Sequence, residues 1–385
     1  MKKRVLLTFV LFLSCLAAAT AIEYGGSVSN RSGMSGSVSA PGFDQENELN
    51  AWVQIPITNS GITGFSAEGM YRFTWTKNDG FRHILDVERL SFYTSFALVD
   101  DLRLHIDAGR FPLSDITGLV FSQASDGVRL AIKAPAFEVS LYGGYTGLVN
   151  GQVVSIYTEK AEERTKYPYS LSPAYVPVGA SMTLPNFFLG QTFSSEAFAF
   201  LDPTEDLYRI YMTAELKGPI ISALHSEAAT VIGTDIRNNE TPTGVSNLSK
   251  LAFTYYPGFF TSSIRLDGVF ASGNFEKTKP FIPFNIVSAV PNLERQDAIL
   301  YSGLLKTGLS ASIQPIEPLK LRAGVDFLVT MPGGGTAPSW GGWQWNVNAA
   351  WRLFSYLKLS LGAGQYIPET GKDNIYLNLK AVLEL

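Results

Sequence analysis

The chain has 385 residues, of which 46% are hydrophobic, 12% aromatic and only 17% charged, with a formal net charge of −4. An ordinary soluble domain carries about 25% charged residues, so this composition excludes the surface of a large soluble enzyme, and its apolar content excludes disorder. No apolar run beyond residue 22 approaches the roughly 18 residues of a transmembrane helix, and the acidic balance leaves no basic footprint for nucleic acid.

Lys2, Lys3 and Arg4 precede the apolar run VLLTFVLFL (Val5 to Leu13), and Ala19-Thr20-Ala21 supplies an A-x-A cleavage site. The pattern is that of a secretory signal peptide over residues 1–21, leaving 22–385 as one unit. Cys15, the only cysteine, falls inside the signal. Lipidation of Cys15 is the competing reading, but Phe12-Leu13-Ser14 is a poor lipobox and Leu16 to Ala19 continue the signal. The processed chain thus offers no disulfide and no thiolate metal site.

After the signal, a Gly- and Ser-rich segment from Ile22 to Asn30 reads as the first strand, and strict alternation then takes over. FSAEGMYRFTW (from Phe65), LRLHIDAGR (Leu102), GVRLAIK (Gly127) and FEVSLYGGY (Phe137) alternate apolar and polar residues, a less regular pair follows between Val178 and Phe200, and YRIYMTAELK (Tyr208) resumes the pattern. LKLRAGVDFLVT (Leu319), WQWNVNAAWRL (Trp343) and NIYLNLKAVLEL (Asn374) complete it. In the last of these Ile375, Leu377, Leu379 and Leu383 face one way and Tyr376, Asn378, Lys380 and Glu384 the other. Period two of this kind marks strands whose faces meet different solvents.

Length separates a soluble sandwich from a membrane barrel. Sandwich strands run about 5 to 6 residues, whereas these run roughly 9 to 15, the reach of a tilted strand across hydrocarbon. Such strands must close into a barrel, because an open edge would strand amide groups in lipid. Short connections fall near residues 60, 100, 135, 186, 218, 257, 316 and 355, and longer polar ones begin near 31, 77, 112, 147, 202, 234, 274, 332 and 367. The expectation is an all-β, transmembrane, antiparallel up-and-down β-barrel of about 18 strands, with 16 as the alternative, carrying short periplasmic turns and long external loops. Phe187, Phe188, Tyr255, Phe259, Phe260, Trp351, Phe354 and Tyr356 beside short turns, and Trp75, Phe270, Trp343 and Tyr366 beside long ones, read as interfacial girdles.

In signal peptide, alternation and loop asymmetry, residues 22–385 resemble the bacterial outer-membrane porin class. The stretch AGRFPLSDITGLVFSQASDGVRL, Ala108 to Leu130, is similar to the strand, loop and returning strand of several porin-like barrels, spirochaetal ones among them. The class commonly ends in Phe, whereas this chain ends in Leu385, a departure that bears on the taxonomic branch. The resemblance implies the outer membrane of a diderm bacterium, surrounding lipid, insertion by the barrel-assembly machinery, a homotrimer, passage of small solutes, and no cofactor.

If the apolar residues face lipid, their neighbours face the lumen. The expected pore-lining set is Arg72, Arg103, His105, Asp107, Arg129, Arg209, Glu215, Lys320, Arg322, Asp326 and Arg352, within a wider inward group that includes Glu68, Lys133, Glu138, Lys217, Arg265, Asp267 and Lys358. Opposed charges there either set a transverse field across a constriction or pair with their strand neighbours. A band of Arg103, Arg129 and Arg209 at one height would favour anions. Two long connections could narrow the lumen: Gly147 to Tyr175, with a short charged helix in TEKAEERTK, and Phe275 to Ala298, with FIPFNIVSAVP, unusually apolar for an exposed loop. Each either folds inward as a constriction, plug or apolar site, or packs on its neighbours at the surface.

Catalysis is disfavoured. Only His83, His105 and His225 are available, no H-E-x-x-H or G-x-S-x-G occurs, and His105 beside Asp107 reads as a lumen-facing pair. The sequence therefore points to a non-enzymatic channel for passive diffusion of small hydrophilic solutes, without metal or other cofactor. Two alternatives remain: a transporter of hydrophobic ligands with Gly25 to Gly42 as a luminal plug, and a surface adhesin or structural barrel.

Overall fold

The computed structural model describes residues 22–37, 40–58, 60, 62–77, 80–151, 156, 169–203, 207–237, 244–275, 278–290 and 298–385. The expected signal peptide and the helix in TEKAEERTK lie outside these residues.

Eighteen strands follow in order: β1 (Glu23–Ser37), β2 (Ala40–Pro56), β3 (Gly64–Thr76), β4 (Gly80–Val99), β5 (Leu102–Ser114), β6 (Ser122–Ala134), β7 (Phe137–Tyr145), β8 (Val176–Phe188) and β9 (Gln191–Asp202). The second half comprises β10 (Leu207–Ile221), β11 (Leu224–Arg237), β12 (Ser246–Tyr255), β13 (Ser263–Ala271), β14 (Leu304–Ile316), β15 (Leu319–Thr330), β16 (Ser339–Phe354), β17 (Leu357–Ile367) and β18 (Asn374–Glu384). Each strand pairs antiparallel with its neighbours in sequence, and β1 pairs with both β2 and β18, so the sheet closes with no free edge. Closure gives every wall strand a ladder partner on both sides, the condition for surviving in hydrocarbon.

Alternation sets the two faces. Val28, Leu49, Tyr71 and Leu85 stand opposite one another across β1 to β4, and all four are exposed on the outer face. Leu104, Leu130 and Leu141 continue that face, while Asp107 and Arg129 between them point inward.

Eight connections leave one end of the barrel (57–63, 100–101, 135–136, 189–190, 222–223, 256–262, 317–318, 355–356) and nine the other (38–39, 77–79, 115–121, 146–175, 203–206, 238–245, 272–303, 331–338, 368–373). The asymmetry expected from sequence is present, but 146–175 and 272–303 supply most of it. Instead of a long connection from 31, β1 runs on to Ser37 and β2 begins at Ala40, because its backbone pairs on both sides where its side chains carry no periodic signal. Gly25 to Gly42 is therefore barrel wall and not a luminal plug. Near 186 the strand continues past a register shift between Leu184 and Phe188, and the turn falls at Leu189 and Gly190, both at positive φ.

The apolar core lies inside the barrel. Phe111, Phe121, Phe198, Phe200, Tyr211, Val231, Leu248, Phe281 and Phe284 form one buried cluster of wall and connection residues.

Candidate functional site: a lumen filled on one side

The strand pairing puts every residue of the sequence-derived set on the inner face. Asp107 stands opposite Arg129, and Lys133 opposite both Arg103 and Glu138. Arg129 donates to Asp107 from Nε at 3.0 Å and Nη2 at 2.7 Å, and Lys133 pairs with Glu138 at 3.2 Å. Arg72 donates from Nε to Glu48 at 2.8 Å. On the far wall Asp326 accepts from Gln344 Nε2 at 2.6 Å and pairs with Lys306 at 3.3 Å. Arg103, Lys320, Arg322 and Arg352 make no ion pair among the described residues.

No arginine band forms. Arg103 lies at the start of β5, beside a short turn, whereas Arg209 lies at the start of β10, beside a long connection, and Arg129 falls between them in mid-strand. Arg209 and Glu215 face inward but are only 3% exposed each. The Arg209 guanidinium sits 5.9 Å from the Tyr175 ring centroid, and Glu215 pairs with Lys217 at 2.8 Å.

What covers this wall is the connection 272–303. Phe281 and Phe284 on it are fully buried, as expected of an apolar segment that has found an apolar wall. The Phe284 ring stacks on Phe200 of β9 at 3.9 Å between centroids and meets Tyr175 edge-on at 5.0 Å. Tyr211 of β10 donates its hydroxyl to the Ile282 carbonyl at 2.7 Å. Farther along, Asn285 spans to β6: its side-chain oxygen accepts from Ser122 N at 2.9 Å, and its amide nitrogen donates to Gln123 Oε1 at 2.7 Å. The Ala289 carbonyl accepts from Lys306 Nζ at 2.9 Å and Gln344 Nε2 at 3.3 Å, fixing the segment to β14 and β16. Of the two readings left open for FIPFNIVSAVP, the inward one describes its residues 281–290. Burial also raises the Tyr301 phenol above the usual tyrosine range, so it stays neutral.

The shorter connection 115–121 folds into the same layer. Asp115 accepts from the backbone amides of Thr117 (2.9 Å), Val120 (3.1 Å) and Phe121 (2.8 Å), turning the segment so that Phe121 enters the cluster. Glu196 on β9 accepts from the Ile116 amide at 2.9 Å.

Toward the short-turn end from this layer, two polar recesses lie among the described residues. One, about 310 Å³, is lined on β4 to β7 by His105, Asp107, Arg129, Lys133 and Glu138 among others. The second, about 370 Å³, is lined on β13 to β18 by Asp267, Lys306, Arg322, Asp326 and a group of asparagines. The buried cluster draws on β5, β7 and β9 to β15, with Tyr366 of β17 against it and Asn285 and Ala289 bonded to β6, β14 and β16, so among the described residues only the arc from β18 through β1 to β4, and β8, contribute nothing to it.

Hydrophobicity alone missed the apolar inner wall. Phe198 and Phe200 face inward while Ala197 and Ala199 beside them face out, so here the larger apolar residues lie on the luminal face. The available signal was the i, i+2 pair of rings in an alternating strand matched to an apolar loop downstream. Tyr366, expected in a girdle, pairs with inward Gln344 and donates its hydroxyl to the Gly341 carbonyl at 2.6 Å, because it lies on the luminal parity of its strand.

No family model and no curated protein matches the chain. Solved structures do. OpdL of Pseudomonas aeruginosa superposes with a TM-score of 0.63 at 12% identity, covering 94% of this chain and 98% of that one. OccK11 (OpdR) of the same organism gives 0.62 at 12%, covering 94% and 96%. The P. aeruginosa outer membrane protein OpdK gives 0.60 at 12%, covering 94% and 99%. At these identities the likeness is one of fold, end to end.

Proposed function

We propose that the chain is a passive outer-membrane channel for small hydrophilic solutes. Its apolar outer face sits in lipid, and its polar arc carries solute past the in-folded layer. The observation that carries this reading is the one-sided filling of the lumen: an apolar layer draws on β5, β7 and β9 to β15 and on no described residue of the arc from β18 through β1 to β4, while charged and amide side chains line two polar recesses toward the short-turn end. A barrel of this size has an interior too wide for wall side chains to fill unaided. The likeness to OpdK, named an outer membrane protein, supports the same placement.

Arg72, Arg103, His105, Asp107, Arg129, Lys320, Arg322, Asp326 and Arg352 are the side chains we assign to the solute path. Arg209 and Glu215 instead support the filled side, since their burial keeps them from a passing solute. No reaction is assigned: the channel works by diffusion, without cofactor, after insertion by the barrel-assembly machinery, and trimerisation belongs to the same proposal. Transport of hydrophobic ligands fits less well, because Phe121, Phe200, Phe281 and Phe284 pack on each other to full burial and both recesses carry charged and amide side chains. Liposome swelling tests the reading. Proteoliposomes should swell in isosmotic small polar solutes at rates that fall with solute size, and rates equal to those of protein-free liposomes would overturn it.

A further inference from the structure

The larger recess has a feature that ion passage does not require. Strand β17 presents Gly362 and Gly364 to the lumen, and the strands on either side lean over these gaps. Asn348 of β16 and Asn378 of β18 bring their side-chain oxygens to 2.8 and 2.6 Å from the place where a Cβ on Gly362 would stand. The Tyr376 ring of β18 lies in the same way over Gly364. Two amides and a ring are thus laid along a glycine floor, with the recess above them. Asn346 precedes Asn348 on the same face, opposite Gly324 and Gly364, and lines the recess too.

These groups are uncommitted. Among the described residues Asn346, Asn348, Asn378, Arg322 and Tyr376 make no side-chain hydrogen bond or ion pair to the protein, although other polar groups nearby do. In the smaller recess both acids are paired, Asp107 with Arg129 and Glu138 with Lys133. In the larger one Lys306 and Arg322 are balanced by Asp267 and Asp326, so the formal charges cancel. The volume, about 370 Å³, lies within the roughly 300 to 1,000 Å³ of small-molecule sites.

We propose that this recess is a binding station for a neutral, polyhydroxylated solute of monosaccharide size. A primary amide both donates and accepts, matching a hydroxyl that does the same, and Asn348 with Asn378 places two such groups side by side over Gly362. The Tyr376 ring offers an apolar face for the C–H face of a sugar ring. Carboxylates of Asp267 and Asp326 penalise an anion, and Lys306 and Arg322 a cation, so neutrality is selected by the lining itself. The station deepens the channel reading by naming a solute class, and its binding test does not depend on transport.

Saturation-transfer difference NMR on the folded full chain in detergent, with D-glucose as probe and glucuronate as its anionic counterpart, tests it. Glucose ring protons should receive saturation from the wild-type protein. The signal should fall at least five-fold in Asn348→Ala/Asn378→Ala and in Tyr376→Ala, and persist in Tyr376→Phe. A wild type that gives no glucose signal, an undiminished signal in folded Asn348→Ala/Asn378→Ala, or displacement of glucose by glucuronate at lower concentration would overturn the station. Salt conductance measured on the same preparation reports on the channel separately: glucose binding without conductance would remove the channel and leave the station, and conductance without binding would do the reverse.

Discussion

The ring of Phe284, carried on the connection between β13 and β14, lies nearly parallel on the ring of Phe200 in the wall strand β9, with centroids 3.9 Å apart and planes 17° from each other. A segment that leaves the barrel at one point of its rim is thereby fixed to a distant part of the inner wall. The lumen is divided into a filled and an open side by this contact and its neighbours.

Phe284→Ala should release that attachment. Truncating a fully buried phenylalanine costs about 3–5 kcal/mol, and here the loss falls on the loop's docking, since the wall is held by its own backbone ladder. The expected outcome is a larger single-channel conductance with unchanged barrel mobility on an unheated gel. An unchanged conductance would show that 272–303 does not limit the path.

Asn285 is the polar counterpart of that anchor, bonded to Ser122 and Gln123 on β6. Asn285→Ala removes two hydrogen bonds worth about 0.5–1.5 kcal/mol each, enough to raise the population of an undocked loop by about an order of magnitude. Current traces should show added flicker between conductance levels, and traces as quiet as wild type would contradict the anchoring role.

Ion preference follows the paired charges of the smaller recess. Asp107→Asn leaves Arg129 without its carboxylate and should move the reversal potential toward anions; Arg129→Gln should move it toward cations. Screening in an aqueous lumen keeps both shifts modest and larger at low salt. Shifts of the same sign would exclude this pair from the path.

Asp115→Ala should unfold the turn at 115–121, because three backbone amides lose their acceptor at about 1–3 kcal/mol for each one left buried and unpaired. Limited proteolysis of the folded protein should then cut within this turn. Glu196→Gln, which still accepts from Ile116, should remain resistant, and Glu196→Ala should not.

The barrel was legible in the sequence because lipid and water impose opposite demands on alternate residues. NIYLNLKAVLEL carries both demands in consecutive positions, and the structure pairs Leu377 and Leu379 outward and Asn378 and Lys380 inward accordingly. Where that contrast fades, so did the reading. The Gly- and Ser-rich β1 has no side-chain period, and its extent is set by backbone pairing alone. Phe198 and Phe200 reverse the rule, since the inner wall there meets an apolar loop and not water. FIPFNIVSAVP announced its need for an apolar partner but not which strands would supply it, because pairing over such a distance leaves no periodic trace. Asn346, Asn348 and Asn378 fall on the polar parity of their strands. Their convergence depends on Gly362 and Gly364 of β17, the strand between β16 and β18, and on the register of both pairings, which no local pattern reveals.

Single-channel recording of the purified protein in a planar bilayer tests the central claim most directly. A lumen filled on one side only should give stable, ohmic current steps in salt, of one main size. A protein that is folded and inserted, shown by a heat-dependent shift in gel mobility and β-type circular dichroism, yet passes no current, would contradict it.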